Sequence, residues 1–178
     1  KRARGRFALA AALSQIAPGT YRIESGVPDN ALEEEALGWL LASYSFDRYR
    51  ENASESPTLV TPGGVDGARI ETMAEAEFLT RDLINTPASD MGPEELESAA
   101  RALADQHGAK ISVITGDALL EQNHPMIHTV GRASDRAPRL IDMTWGARGP
   151  HVTLVGKGVC FDTGGLNLKP GSSMGMMK

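Results

Sequence analysis

Two lysines and one aspartate lie close together near the end of the chain. Lys157, Asp162 and Lys169 follow a short apolar run, and several glycines lie between them. Glycine lets the backbone approach closely, so a loop that folds back can bring an amine, a carboxylate and a second amine to one point. A carboxylate that bridges two divalent cations, with a neutral lysine amine as a further ligand, forms a two-metal site that activates water and polarises a peptide carbonyl. The second lysine, kept charged, can stabilise the resulting oxyanion.

Other interpretations of the same segment are less consistent with its residues. The two lysines could be solvated loop charges, with Asp162 capping a turn; the three residues together favour the metal site. Gly156-Lys157-Gly158 lacks the Gly-x-x-x-x-Gly-Lys-Ser/Thr form of a P-loop. Asp162-Thr163-Gly164 resembles an aspartic protease motif, but those enzymes need two carboxylates that share a proton. Cys160 has no histidine within the loop, so we interpret it as a small buried thiol.

Two further groups of polar residues are interpreted as structural. His124 and His128 have the spacing of zincin metalloproteases, but Pro125 replaces the glutamate that would act as base. The three glutamates at 33–35 lie in the first turn of a predicted helix, where they favour its dipole. We therefore expect a solvated helix start there, with the glutamates outside.

The elements that position these residues follow from hydrophobic periodicity and from turn signals. Predicted helices cover residues 31–43, 68–84, 93–107 and 117–122, and an interior helix, preferred to a targeting peptide, runs from Phe7 to a stop at Pro18-Gly19. Predicted strands cover residues 46–50, 58–61, 109–114, 140–145 and 152–155, and residues 126–130 form a short apolar segment. This alternation predicts an α/β fold with a mostly parallel sheet. Ligands collect beyond the carboxyl ends of such strands, which is where Lys157 and Asp162 lie.

Composition restricts the class of protein and of partner. The 178 residues are 41% hydrophobic and 23% charged, which is typical of a soluble globular protein. A net charge of -5 provides no general field for nucleic acid or an anionic membrane, and no apolar run has the length of a membrane span. One cysteine permits no intrachain disulfide and fits a reducing compartment. The start at Lys1 and the end at Lys178 predict a fragment of a longer protein.

Four segments resemble the leucyl (cytosol) aminopeptidase family. Residues 156–170 with residues 174–178 closely resemble its catalytic segment; their sequence is Gly156-Lys157-Gly158-Val159-Cys160-Phe161-Asp162-Thr163-Gly164-Gly165-Leu166-Asn167-Leu168-Lys169-Pro170 and Met174-Gly175-Met176-Met177-Lys178. Residues 81–91 resemble the end of its interdomain helix, residues 130–141 its early catalytic strands, and residues 39–49 the end of its N-terminal domain. The resemblance implies three parts: the end of an N-terminal α/β domain at 1–64, a linker helix at 65–87, and the first part of an α/β catalytic domain with a central mixed, mostly parallel sheet at 88–178.

The resemblance also implies roles for individual residues. Lys157 would be a ligand of one metal, Asp162 the bridging ligand, and Lys169 the group that polarises the scissile carbonyl. Met177 would lie in the pocket for the first side chain of the substrate, which suits leucine-like residues. The remaining ligands are expected after Lys178: another aspartate, an Asp-x-Glu pair, and an arginine that holds a bicarbonate base. The chain alone should bind metal weakly and catalyse nothing, since two cations need several carboxylates.

The implied protein is a cytoplasmic homohexamer that uses two divalent ions, Mn²⁺ or Zn²⁺, to remove N-terminal residues from peptides. An alternative stays open, in which the protein is a non-catalytic family member that acts in DNA binding or as an assembly module. The presence of all three residues, Lys157, Asp162 and Lys169, favours the enzyme, and the acidic charge weighs against DNA.

Overall fold

The computed structural model describes residues 6–50, 55–160, 168 and 170–174, and these residues combine helices with short strands. The chain divides into two compact units, Lys1–Asn85 and Thr86–Lys178. The first contains a 3₁₀ helix Ala8–Gln15, β1 Thr20–Tyr21, a 3₁₀ turn Asp29–Ala31, α1 Leu32–Ala42, β2 Thr58–Leu59 and α2 Gly67–Asn85. The second contains α3 Pro93–His107, β3 Lys110–Thr115, α4 Ala118–Glu121, α5 Pro125–Gly131, β4 Arg139–Thr144 and α6 Gly171–Met174. The predicted α/β class is confirmed, and the three-part domain assignment stays a prediction.

The first unit is built around α1. This helix packs against the first 3₁₀ helix and against α2. The buried apolar side chains of this unit are Ala36 and Trp39 of α1 and Ile70 and Ala74 of α2. The indole Nε1 of Trp39 donates to the Pro57 carbonyl at 3.0 Å, just before β2. β2 pairs in parallel with β1, with Thr20 opposite Thr58. The buried indole thus ties α1 to the small sheet.

Glu35 corrects the expectation of a fully solvated acidic helix start. Its residue is only 4% exposed, and its carboxylate accepts hydrogen bonds from the backbone N–H groups of Ala8, at 3.1 Å, and Leu9, at 2.7 Å. These amides begin the 3₁₀ helix, where the first turn has no intrahelical acceptor. The helix that we expected between Phe7 and Pro18-Gly19 is a shorter 3₁₀ helix, Ala8–Gln15. A carboxylate from α1 caps its start.

Residues from two of the recognised segments meet around Tyr44 in the first unit. The Tyr44 hydroxyl donates to Asp82 Oδ1 at 2.7 Å and accepts from Asn85 Nδ2 at 3.2 Å. The Arg81 guanidinium lies 5.3 Å from the centre of the Tyr44 ring. Burial, followed by the hydrogen bond to Asp82, raises the pKa of Tyr44. These contacts join the end of α1 to the end of α2, so several residues of both segments have a structural role.

The predicted strand at 46–50 is wrong. Residues 46–50 are irregular, and the Phe46 and Tyr49 rings meet edge to face with centroids 5.9 Å apart. Arg48 lies over the Tyr49 ring at 5.7 Å. The alternation that resembled a strand reflects side chains packing on one another within a short loop. A strand also requires a hydrogen-bonded neighbour, which periodicity alone does not reveal.

The second unit contains an antiparallel strand pair. β3 and β4 run in register from Lys110 opposite Thr144 to Thr115 opposite Arg139. The connection through α4 and α5 leaves and re-enters at the same end of the pair, where the Gly116 N–H donates to the Pro138 carbonyl at 2.9 Å. Such a return makes neighbouring strands antiparallel. We predicted a mixed, mostly parallel sheet in this unit. The strand pair that the structure describes here is antiparallel, and the parallel pair that it describes lies in the first unit.

In the second unit, one local prediction is made more specific and another needs correction. The apolar segment at 126–130 belongs to the helix α5. Residues 152–155, predicted as a strand, are irregular, and Val152, Leu154 and Val155 are 81%, 92% and 93% exposed. In the part of the chain that the structure describes, no strand pairs with this segment. An apolar run becomes a strand only when another strand satisfies its backbone.

Helices long and apolar enough to cross a membrane do not occur among the described residues.

Candidate functional site

Lys157 is the predicted site residue that the structure describes. It is exposed and lies in an irregular segment, residues 156–160, which we call the lysine segment. Asp162, Lys169 and Met177 lie outside the described residues. The meeting of these side chains with Lys157 therefore stays a prediction.

The lysine segment forms one wall of a cavity in the second unit. The cavity has a volume of about 690 Å³, and its other walls are the first turns of α3, the helix α5 and the start of β4. Leu96 and Ala100 of α3, with Ile127 and Val130 of α5, give it a largely apolar lining, and Lys157 and Arg136 are among its polar groups. The sequence did not predict this cavity. Its signal was the apolar stripe of α3, from which Leu96 and Ala100 line the cavity.

Gly158 brings the lysine segment close to α3. A Cβ atom at position 158 would overlap the Cδ2 atom of Leu96, whereas a Cβ at Gly156 would meet open space. A larger residue after Lys157 would therefore require the Leu96 side chain or the segment to move. The expectation that glycine allows close backbone approach in this segment is confirmed at Gly158.

An ion pair at the start of α3 forms another part of the same cavity. The Arg136 guanidinium pairs with the Glu95 carboxylate. Glu95 also accepts a hydrogen bond from the Gly92 N–H at 2.9 Å, which caps the helix. A Cβ at Gly92 would overlap the Arg136 guanidinium. Hydrogen bonds from its own backbone N–H, from Gly92 and from Arg136 lower the pKa of Glu95, so its carboxylate stays ionised.

A second group of ion pairs connects α3 to β4. Arg139 pairs with Glu97 and lies 3.3 Å from Glu94. Glu97 is also 2.7 Å from Arg101, one turn further along α3. Hydrogen bonds from Arg139 and then Arg101 lower the pKa of Glu97. The acidic first turns of α3 are thus matched by arginines at the start of β4.

Cys160 ends the described part of the lysine segment. The residue is half-buried, and burial raises the pKa of its thiol; Arg136 opposes that shift and Glu95 adds to it. A protonated thiol is a poor nucleophile. These properties agree with a small buried thiol. They also place the charges of Arg136 and Glu95 within range of the lysine segment.

The two histidines of the rejected zincin motif have other surroundings. His128 Nε2 lies 3.1 Å from Asp117 Oδ1, and His124 precedes α5 as its N-cap residue, with Pro125 at the first helical position. Within the described ranges, no three His, Cys, Asp or Glu side chains are grouped so that they could hold a metal ion.

Comparison with known proteins identifies relatives for most of the chain. Residues 78–178, which include the lysine segment, match the model of the cytosol aminopeptidase family, catalytic domain. A probable cytosol aminopeptidase of Corynebacterium glutamicum is 34% identical over 167 residues, which cover 88% of this chain and 33% of that protein. The chain spans about a third of the length of the curated relatives that it matches.

Solved structures show the same fold. The crystal structure of the cytosol aminopeptidase from Coxiella burnetii matches 97% of this chain and 38% of its own, with a TM-score of 0.84 and 38% sequence identity. The bottromycin maturation enzyme BotP in complex with Mn matches 94% of this chain and 38% of its own, with a TM-score of 0.76 and 36% identity. The α/β assignment made from the sequence is confirmed by these similarities.

Proposed function

The chain belongs to the cytosol aminopeptidase family, and from this premise we propose that the full-length protein is a metal-dependent aminopeptidase. Its substrates are peptides, from which it releases N-terminal residues, with a preference for leucine-like side chains. The observation that carries this proposal is the match of residues 78–178 to the catalytic domain, because that region includes Lys157 and the glycine-rich segment after it.

The donor set of the chain fits divalent metal ions. We propose that the Lys157 amine and the Asp162 carboxylate bind two ions, Mn²⁺ or Zn²⁺, since nitrogen and oxygen donors suit both. The exposure of Lys157 leaves its amine accessible, and the Mn complex of the structural neighbour BotP supports manganese. Bound cations would supply water activation and carbonyl polarisation. Further carboxylate ligands, and an arginine with a bicarbonate base, are proposed to follow Lys178.

Two residues outside the described ranges are proposed to act on the substrate. Lys169, as a charged ammonium group, would stabilise negative charge that develops on the scissile carbonyl oxygen. Met177 would contact the first side chain of the peptide, where a flexible thioether adapts to leucine-like shapes. Both proposals rest on the resemblance of residues 156–178 to the catalytic segment of the family.

The assembly and location of the full-length protein are also proposals. We infer a homohexamer in the cytoplasm from the family resemblance. The name of the relatives, cytosol aminopeptidase, supports the location. Sedimentation of the purified full-length protein tests the assembly, and a mass of one or two subunits would contradict it.

Hydrolysis of leucine p-nitroanilide by the full-length protein tests the activity. We expect cleavage with added Mn²⁺, loss of cleavage with a chelator, and no cleavage of the N-acetylated substrate. The acetylated control separates an aminopeptidase from an enzyme that ignores the free amine. Absence of cleavage with either Mn²⁺ or Zn²⁺ would refute the proposal and favour a binding or assembly role.

A further inference from the structure

We propose that the first turns of α3 position the lysine segment, through Leu96 at one point and the Glu95–Arg136 ion pair at another. Arg136 and Glu95 are positioning residues in this proposal and touch neither substrate nor metal. The importance of this support for metal binding rests on the proposed function. The support itself is a property of the second unit and can be tested separately.

The first point of support is the contact between Leu96 and Gly158. The backbone at Gly158 lies so close to the Leu96 side chain that a Cβ there would overlap it. Gly158 follows Lys157 directly, so this contact lies next to the proposed ligand. Leu96 and the whole lysine segment line the same cavity.

The second point of support is the Glu95–Arg136 ion pair. Arg136 lines the same cavity as Gly156 to Cys160. Cys160 lies two residues before the proposed bridging ligand Asp162. Arg136 therefore borders the cavity along which the lysine segment runs towards that ligand.

The ion pair is itself held in place by the helix start. The Gly92 N–H and the Arg136 guanidinium both donate to the Glu95 carboxylate, and the Arg136 N–H donates to Ser134 Oγ at 3.0 Å. Arg136 thus connects the loop before β4 to α3. The lysine segment needs such support because Gly156 to Val159 are exposed, Val159 at 54%, so much of the segment has few neighbours.

Labelling of Cys160 with a thiol reagent tests the support without metal or substrate. In the metal-free full-length protein, with the labelled peptide followed by mass spectrometry, we expect Arg136→Met to accelerate labelling about 3- to 10-fold because the segment moves away from α3. Faster labelling in this variant would indicate that the thiol becomes more accessible as the segment is released.

Matched variants identify the cause of the change. Arg101→Met removes an arginine that pairs with Glu97 on the same helix, away from the cavity lining, and should leave labelling unchanged. Arg136→Lys retains a cation for Glu95 and should restore most of the wild-type rate. Labelling that is unchanged or slower in Arg136→Met, or equally faster in Arg101→Met, would overturn the proposal.

Mn²⁺ affinity, measured by calorimetry on the same variants, tests the consequence for the site. We expect Arg136→Met to weaken Mn²⁺ binding about 10-fold, as for residues that orient metal ligands. Faster labelling with unchanged Mn²⁺ affinity would overturn the link to the metal while leaving the proposed aminopeptidase intact. An inactive wild-type protein whose Mn²⁺ affinity still falls in Arg136→Met would refute the activity and retain the positioning role.

Discussion

At the scale of single residues, Glu35 shows that the role of an acidic side chain depends on its surroundings in the fold. Glu33, Glu34 and Glu35 are identical in type and adjacent in sequence, yet Glu35 is the member buried against another helix start. Glu34 and Glu33 form exposed ion pairs with Arg6 and Arg69. The Glu35 carboxylate is buried and accepts from two backbone N–H groups. Water therefore cannot take its place as the acceptor for those groups.

We predict that Glu35→Ala opens the 3₁₀ helix Ala8–Gln15. The variant leaves the Ala8 and Leu9 amides without an acceptor, which should cost about 1–3 kcal/mol of local stability. Glu34→Ala is the control, because its exposed pair with Arg6 should be worth about 1 kcal/mol or less. Hydrogen exchange of peptides that cover residues 8–15 measures both variants. Equal loss of protection in the two would contradict the capping role.

At the scale of elements, α3 combines signals that a sequence shows with contacts that it hides. Gly92 and Pro93 begin the helix, and Gly108 ends it in the left-handed conformation with φ of 64°, as its sequence predicted. The pairing of its glutamates with Arg136 and Arg139 spans about forty residues of chain and was not predicted. Those ion pairs connect the acidic start of α3 to β4 and the loop before it; we call this contact the junction.

We predict that acid weakens this junction. The pKa values of Glu95 and Glu97 lie below the ordinary value of 4.5 in the folded protein. Their stabilisation is therefore complete above pH about 4.5 and is lost as the pH falls through the lower folded values. The melting temperature of Glu95→Gln/Glu97→Gln should lie below wild type at pH 7, and the difference should shrink as the pH falls towards 3.

Glu121→Gln provides the control for that titration, because Glu121 is an exposed carboxylate at the end of α4. Its melting temperature should follow wild type at every pH. A difference between wild type and the double variant that stays constant from pH 7 to 3 would show that the two carboxylates do not control the acid response.

At the scale of the whole molecule, metal binding should stabilise the folded protein. A ligand that binds only the native state raises stability by RT ln(1 + [L]/Kd), which is about 2.7 kcal/mol at a hundredfold excess over Kd. We predict that Mn²⁺ raises the melting temperature of the full-length protein and that a chelator reverses the rise. A melting temperature that does not respond to Mn²⁺ or Zn²⁺ would contradict a metal site.

Lys157→Met should remove most of that rise and lower peptidase activity by a factor on the order of 100 or more, as expected when a metal ligand is lost. Because Lys157 is exposed, the melting temperature of the metal-free Lys157→Met protein should stay near that of wild type. Lys110→Met makes the same change at another exposed lysine of the second unit and should alter neither property. A Lys157→Met protein with wild-type activity would exclude Lys157 as a ligand.

Local sequence patterns predicted the elements whose signals lie within a turn or two of chain. Local patterns predicted the bounds of α1, α2 and α3 and the strands near 58, 110 and 140. One long motif predicted the family and the candidate residue Lys157. Asp162, Lys169 and Met177 come from the same motif and remain predictions.

The folded structure was needed to show which groups from distant parts of the chain meet. It buried Glu35, paired β3 with β4 in antiparallel register, and left residues 152–155 without a strand partner among the described residues. It also placed Gly158 against Leu96 beside an apolar cavity. Helix caps and periodicity act through neighbouring backbone groups, whereas burial and strand pairing depend on contacts between residues far apart in sequence.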